Sequence, residues 1–105
     1  MSEYPLTLAE IVAWFRSKEL ALVGSAVVLA GVNERTTFTP LAFADFDGPN
    51  TMGRVCAWVT GYVDFEALRV SDRKDIFWGH AEVSRVDELE GVYTDFLRHL
   101  SNPEA

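Results

Sequence analysis

Residues 53–70 read Gly53-Arg54-Val55-Cys56-Ala57-Trp58-Val59-Thr60-Gly61-Tyr62-Val63-Asp64-Phe65-Glu66-Ala67-Leu68-Arg69-Val70, two runs rich in β-branched and aromatic residues on either side of a glycine. Side chains alternate faces along a strand, so each run can be divided into two sides. In the first strand of the pair, about Gly53 to Thr60, Val55, Ala57 and Val59 share one side, and Arg54, Cys56, Trp58 and Thr60 share the other. In its partner, about Val63 to Val70, Val63, Phe65 and Ala67 stand opposite Asp64, Glu66 and Leu68. A two-residue turn at Gly61-Tyr62 would set Ala57 beside Glu66 and bury a carboxylate, which is strongly unfavourable. An odd connection avoids this. The alternation therefore predicts a three-residue, bulged turn using Gly61, with Val59 paired to Val63 and Ala57 to Phe65.

Working outward, Asp75 to Val83 reads as a further strand after the polar turn Ser71-Asp72-Arg73-Lys74, with Phe77, Gly79, Ala81 and Val83 on one side and Ile76, Trp78, His80 and Glu82 on the other. Ser84 is expected to cap a last helix with Asp87 and Glu88 in its first turn, Arg98 and His99 in its last, and Asn102-Pro103 beyond. Val86, Leu89, Tyr93, Phe96 and Leu100 form its apolar stripe. Upstream, Asp47-Gly48-Pro49-Asn50 is a loop, Thr36 to Asp45 a strand in which Pro40 marks an edge or bulge, and Asn33-Glu34-Arg35 a turn. The apolar, β-branched run Leu20 to Val32 is expected to be a buried strand. Thr7-Leu8-Ala9-Glu10 is a capping box, and Leu8, Ile11, Val12 and Phe15 give the helix it starts a core-facing stripe, with Arg16 and Lys18 in its last turn. The expected fold is α+β: an antiparallel sheet of about five strands with the N-terminal and C-terminal helices packed on one face, in the order α-β-β-β-β-β-α.

At 105 residues, with a hydrophobic fraction of 49% and no linker or repeat, the chain is expected to form a single domain over residues 1–105. Sixteen acidic residues against nine basic ones, a formal charge of -7, give no electrostatic footprint for phosphate backbones or anionic lipid. Neither nucleic acid nor a membrane surface is an expected partner. Cys56 is the only cysteine, so no internal disulfide can form, and a reducing compartment is expected. The N-terminus lacks a basic n-region, and Leu20 to Val32 falls short of the roughly 20 residues that span a bilayer. A cytoplasmic location is the resulting expectation.

The chain carries no Gly-rich phosphate loop, metal-spaced His/Cys cluster or nucleophile elbow, and no cofactor or metal is expected. Cys56, His80 and Asp64 on one side could mimic a thiol nucleophile, base and orienter, but nothing supplies an oxyanion hole and a lone strand cysteine is ordinarily inert packing. An enzyme is not expected. What the second side does carry is Arg54, Trp58, Asp64, Glu66, Trp78, His80 and Glu82. Tryptophan is the residue most enriched in binding hot spots, and acids beside it suit a basic protein partner. Alternatively, Trp58 and Trp78 pack on each other or under a loop within the monomer.

The segment from Gly53 to Glu66, with its Trp-x-x-Gly-x-x-Asp-x-Glu spacing over Trp58, Gly61, Asp64 and Glu66, followed by Ile76-Phe77-Trp78-Gly79-His80 and an amphipathic helix, resembles the TriTu family of small immunity proteins. The chain departs from the pattern at Cys56, where Thr is expected, and at Val59-Thr60, where the family tends to be more polar. The resemblance implies binding to a delivered ADP-ribosyltransferase toxin, of the kind that modifies elongation factor Tu, and occlusion of its active-site cleft without turnover. It bears on Trp58, Gly61, Asp64, Glu66, Trp78 and His80, nearly the set that strand alternation selects. The expected partner is thus a cognate toxin domain, with a weak homodimer also possible through the same face. The competing reading is an acidic interaction or oligomerisation module unrelated to toxins.

Overall fold

Thr7 closes the N-terminus of the first helix: its hydroxyl accepts the Glu10 N–H at 3.1 Å, and its own N–H donates to the Glu10 carboxylate at 3.2 Å. The helix, α1, runs Leu8–Ala21 and is followed by five strands, β1 Val28–Arg35, β2 Leu41–Asp47, β3 Thr51–Trp58, β4 Tyr62–Arg69 and β5 Asp75–Glu82. A 3-10 turn, Val86–Leu89, then leads into α2, Glu90–Leu100. The structure, a computed structural model, describes residues 4–102, so Pro103 lies outside it. The sheet order is β1-β2-β3-β4-β5, each neighbouring pair antiparallel, and this is the expected α+β arrangement. No helix among the described residues is long and apolar enough to cross a membrane.

The turn between β3 and β4 contains three residues, Val59-Thr60-Gly61, with the Gly61 N–H donating to the Trp58 carbonyl at 2.9 Å. Its odd length is as the alternation requires, but the register is not. Ala57 pairs with Val63 and Val55 with Phe65, two residues from the expected pairing. A two-residue slip preserves the faces, so Val55, Ala57, Val63 and Phe65 are all buried. Gly61 sits at φ +93°, and a Cβ there would come within 2.0 Å of the Val83 carbonyl oxygen, which makes glycine obligatory.

The first half of the chain corrects three expectations. Leu20 and Ala21 complete α1 instead of starting a strand; the Leu22 N–H returns to the Lys18 carbonyl at 3.0 Å, and Gly24, at φ +82°, turns the chain before β1. An apolar run without alternation fits either element, and helix hydrogen bonding decides it. Asn33-Glu34-Arg35 is the end of β1, paired with Phe43, Ala42 and Leu41, and is not a turn. The connection is instead Thr36–Pro40, because Pro40 has no N–H to give a ladder and its carbonyl accepts the Val59 N–H at 3.1 Å. Ser84 does not cap the last helix: Glu88 reaches back to the N–H groups of Ser84 and Arg85, at 3.1 and 2.9 Å. Ile76, expected on the mixed face, occupies a bulge where Leu68 pairs with Asp75, and packs against the core.

One face of the sheet is covered, α1 lying over β1 and β2, and α2 over β3, β4 and β5. Phe96 is the keystone of the second contact, its ring 5.2 Å from that of Phe46 and 5.6 Å from that of Phe65. A Cβ on Gly53 would come 2.8 Å from the Phe96 ring, so glycine forms the floor of this contact. Burying a phenylalanine such as Phe15, Phe46, Phe65 or Phe96 contributes about 2–3 kcal/mol each. The last orphan carbonyl of α2, Leu100, accepts the buried Thr51 hydroxyl at 2.7 Å.

The helices are fastened to each other through Glu90. Its carboxylate accepts the indole N–H of the buried Trp14 at 3.1 Å and pairs with Lys18 at 2.6 Å, while the Lys18 ammonium lies 5.1 Å from the ring centres of Trp14 and Tyr93. Lys18 therefore bridges the helices, where the sequence suggested only a dipole-complementing end. Desolvation pushes the Glu90 carboxyl up, but the bonds from Lys18 and Trp14 outweigh it and hold the group below its ordinary value.

Two stability predictions follow from these contacts. Gly61→Ala should lower the unfolding free energy by about 2–4 kcal/mol in urea titrations, because the residue needs a left-handed backbone and has no room for Cβ. Glu90→Ala should cost about 1–2 kcal/mol near neutral pH, chiefly by stranding the Trp14 N–H, since the half-exposed ion pair is screened. As the folded pKa lies below the unfolded one, the ionisation-dependent part of that difference is complete above the ordinary carboxylate pKa. It should shrink as pH falls through the folded value.

Candidate protein-binding face

With both helices on one side, the opposite face of the sheet is left open, and its side chains fall in rows set by the strand register. Cys56, Asp64 and His80 make one row across β3, β4 and β5; Asp45, Arg54, Glu66 and Trp78 make the next, beginning on β2. Trp58, Tyr62 and Glu82 lie at the end of the sheet where the β3–β4 turn sits. All seven residues selected from the sequence, Arg54, Trp58, Asp64, Glu66, Trp78, His80 and Glu82, are on this face.

The two tryptophans are separate, with β4 between their strands, and a string of rings connects them. Trp58 meets Tyr62 edge-on at 5.6 Å, Tyr62 stacks on His80 at 5.8 Å, and His80 meets Trp78 at 5.3 Å. Trp58 is half-buried by this packing, whereas Trp78 remains 62% exposed. Neither reading of the tryptophans from the sequence is complete: the string shelters one and presents the other.

Arg54 stands between Asp45 and Glu66 in the register but gives its guanidinium to Asp45, through Nε at 2.7 Å and a second nitrogen at 3.3 Å, and lies 4.4 Å above the Phe43 ring. This leaves Glu66 and Glu82 exposed and without an ion pair among the described residues. On the helix side Asp87 is paired with Arg85, Asp95 with Arg98 and Glu90 with Lys18, while Glu10 and Glu88 accept backbone N–H groups. Between Arg54 and Glu66 on one side and Met52 and Leu68 on the other lies a concavity of about 270 Å³, also lined by Asp45 and Gly53. Met52, Phe43, Asp45 and Tyr62 also belong to the face; the sequence pattern does not single them out, because Met52 precedes the expected strand start at Gly53, alternation on the second strand is weak, and Gly61-Tyr62 reads as a turn.

The Cys56, His80 and Asp64 constellation has the wrong order for catalysis. Asp64 lies between the other two, so the thiol and imidazole strands are two spacings apart, about 10 Å. One Asp64 carboxylate oxygen is buried without a hydrogen-bond partner. Burial, and then the Asp64 charge, push the Cys56 thiol up to about 11, so it is protonated at neutral pH. Among the described residues no group of three or more His, Cys, Asp or Glu side chains is placed to hold a metal ion. Folded protein should therefore resist iodoacetamide at about pH 7.5, labelling faster as pH rises towards the thiol pKa, while urea-unfolded chain reacts readily. Rapid labelling of the folded chain at the lower pH would contradict this.

The open face thus presents an exposed indole, carboxylates without an ion pair among the described residues, and a protonated thiol. A comparison with curated proteins finds no match. The family model for the immunity protein TriTu matches residues 9–99, taking in both helices and the whole sheet. By that match the chain belongs to the TriTu family of immunity proteins, a non-catalytic family whose membership implies a cognate toxin as partner.

Proposed function

We propose that the chain neutralises its cognate toxin by laying the open sheet face over the toxin's active-site cleft, and that the toxin is an ADP-ribosyltransferase of the kind that modifies elongation factor Tu. The observation that carries the reading is the exposed Trp78 beside the unpaired Glu66 on a face that no helix covers. A truncated hot-spot tryptophan typically costs ~2 kcal/mol or more of binding, and unpaired carboxylates steer association with a basic surface. The concavity beside Glu66 suits a partner's lysine or arginine, whose aliphatic stem can lie on Met52 and Leu68 while its charge meets the carboxylate. Arg54, Trp58, Asp64, His80 and Glu82 complete the proposed contact. Occlusion requires no turnover, so inhibition should be stoichiometric.

The test uses the cognate toxin, an ADP-ribosyltransferase domain that the chain protects against. NAD-dependent modification of elongation factor Tu should stop at about one equivalent of the chain, as expected for tight one-to-one binding. Trp78→Ala and Glu66→Lys should each weaken the complex about tenfold or more with the fold intact, and Glu66→Lys should chiefly slow association at low salt. Full protection by both variants would move the interface to another surface.

A further inference from the structure

Phe38 is 99% exposed, as open to water as a side chain in a short peptide. It occupies the centre of the Thr36–Pro40 connection between β1 and β2, where the sequence had suggested a strand. Burying such a ring is worth about 2–3 kcal/mol, and the fold makes no use of it.

The loop that presents it is held in shape. The Thr37 hydroxyl donates to the Thr39 carbonyl at 2.9 Å, a bond that straddles Phe38. One end of the loop is closed by the Arg35 and Leu41 pair, and at the other the Pro40 carbonyl is tied to Val59 in the β3–β4 turn. A ring displayed on a fixed loop loses little conformational entropy on docking.

The loop emerges at the end of the sheet that carries Leu41, Trp58 and Tyr62, where the aromatic string of the open face begins. Other strongly exposed apolar residues, Leu20 and Val23 at 76% and 80%, precede β1, whose first residue pairs with Asp47 at the opposite end. Thr36-Thr37-Phe38-Thr39-Pro40 contains no charge; Arg35, whose guanidinium lies over the Phe43 ring, flanks it, and the exposed carboxylates Glu66 and Glu82 stand farther off on β4 and β5. The two parts therefore ask for different chemistry in a partner.

We propose that Phe38 is an anchor of the toxin complex, its phenyl ring entering an apolar, uncharged pocket at the rim of the basic surface met by Glu66 and Glu82. The proposal rests on the reading of the chain as a toxin-blocking protein. The partner it fits has two adjoining subsites, one basic and one a ring-sized apolar recess.

The test compares wild type, Phe38→Ala, Phe38→Leu and Glu66→Lys for binding to the same ADP-ribosyltransferase toxin domain. Phe38→Ala should weaken the complex about 30-fold or more, the usual size of a hot-spot loss. The loss should appear in dissociation, with association changed less than about threefold and insensitive to salt, unlike that of Glu66→Lys. Phe38→Leu should recover part of the affinity, and the melting temperature of both Phe38 variants should match wild type because the ring touches nothing in the fold. Undiminished toxin affinity in Phe38→Ala would overturn the proposal while leaving the toxin-blocking reading intact. A wild-type dimer that Phe38→Ala converts to monomer, with toxin affinity unchanged, would overturn it in favour of a second copy as occupant. Failure of wild type to bind the toxin domain would instead refute the functional reading on which the proposal stands.

Discussion

The odd length of the Val59-Thr60-Gly61 turn is the constraint on which the rest of the molecule depends. Side chains along a strand alternate with a period of two, so adding or removing one residue here would reverse every side chain of β4 relative to β3. Phe65 would leave the core and Glu66 would enter it. Gly61 makes the turn feasible, since its positive φ and the closeness of the Val83 carbonyl admit no side chain. From this parity comes a sheet with one face apolar enough to hold Phe96 over Gly53, and another free to be something else.

What the second face becomes depends on the helices staying together on the first. The Trp14, Lys18 and Glu90 cluster joins α1 to α2 across residues far apart in sequence, so that neither helix wraps round to the other side. The open face must then hold its own aromatics in water. It does so by ring contact in sequence from Trp58 through Tyr62 and His80 to Trp78, and by seating Arg54 on Phe43. Such an arrangement is preorganised, which limits the entropy lost when a partner covers it. The same arrangement removes chemistry: burial, and then the charge of Asp64 set between Cys56 and His80, push the thiol pKa up, and no base is oriented toward it.

Much of the candidate face could be read from the chain because it lies on β3, β4 and β5, where apolar and polar residues alternate cleanly. All seven selected residues share it, including Trp78 and Glu66 on neighbouring strands. The β2 contribution was hidden. Its strand begins at Leu41, whereas the sequence pattern runs on back to Thr36 and places Phe38 in the sheet. Threonine and phenylalanine are both good strand formers, and Pro40, the one breaker in Thr-Thr-Phe-Thr-Pro, fits an edge strand as well as a loop.

The sequence by itself determined the element order, the faces of the last three strands, the capping box at Thr7 and the odd turn at Gly61, all of which rest on interactions between residues close along the chain. Tertiary structure decided the boundaries of α1 and β1, the register across the turn, the bulge at Ile76 and the bridging role of Lys18. Each of these depends on which distant backbone or side chain completes a hydrogen bond or fills a gap, and local pattern carries no information about that. The exposure of Phe38 is of the same kind: a phenylalanine reads as core until the fold shows that nothing covers it.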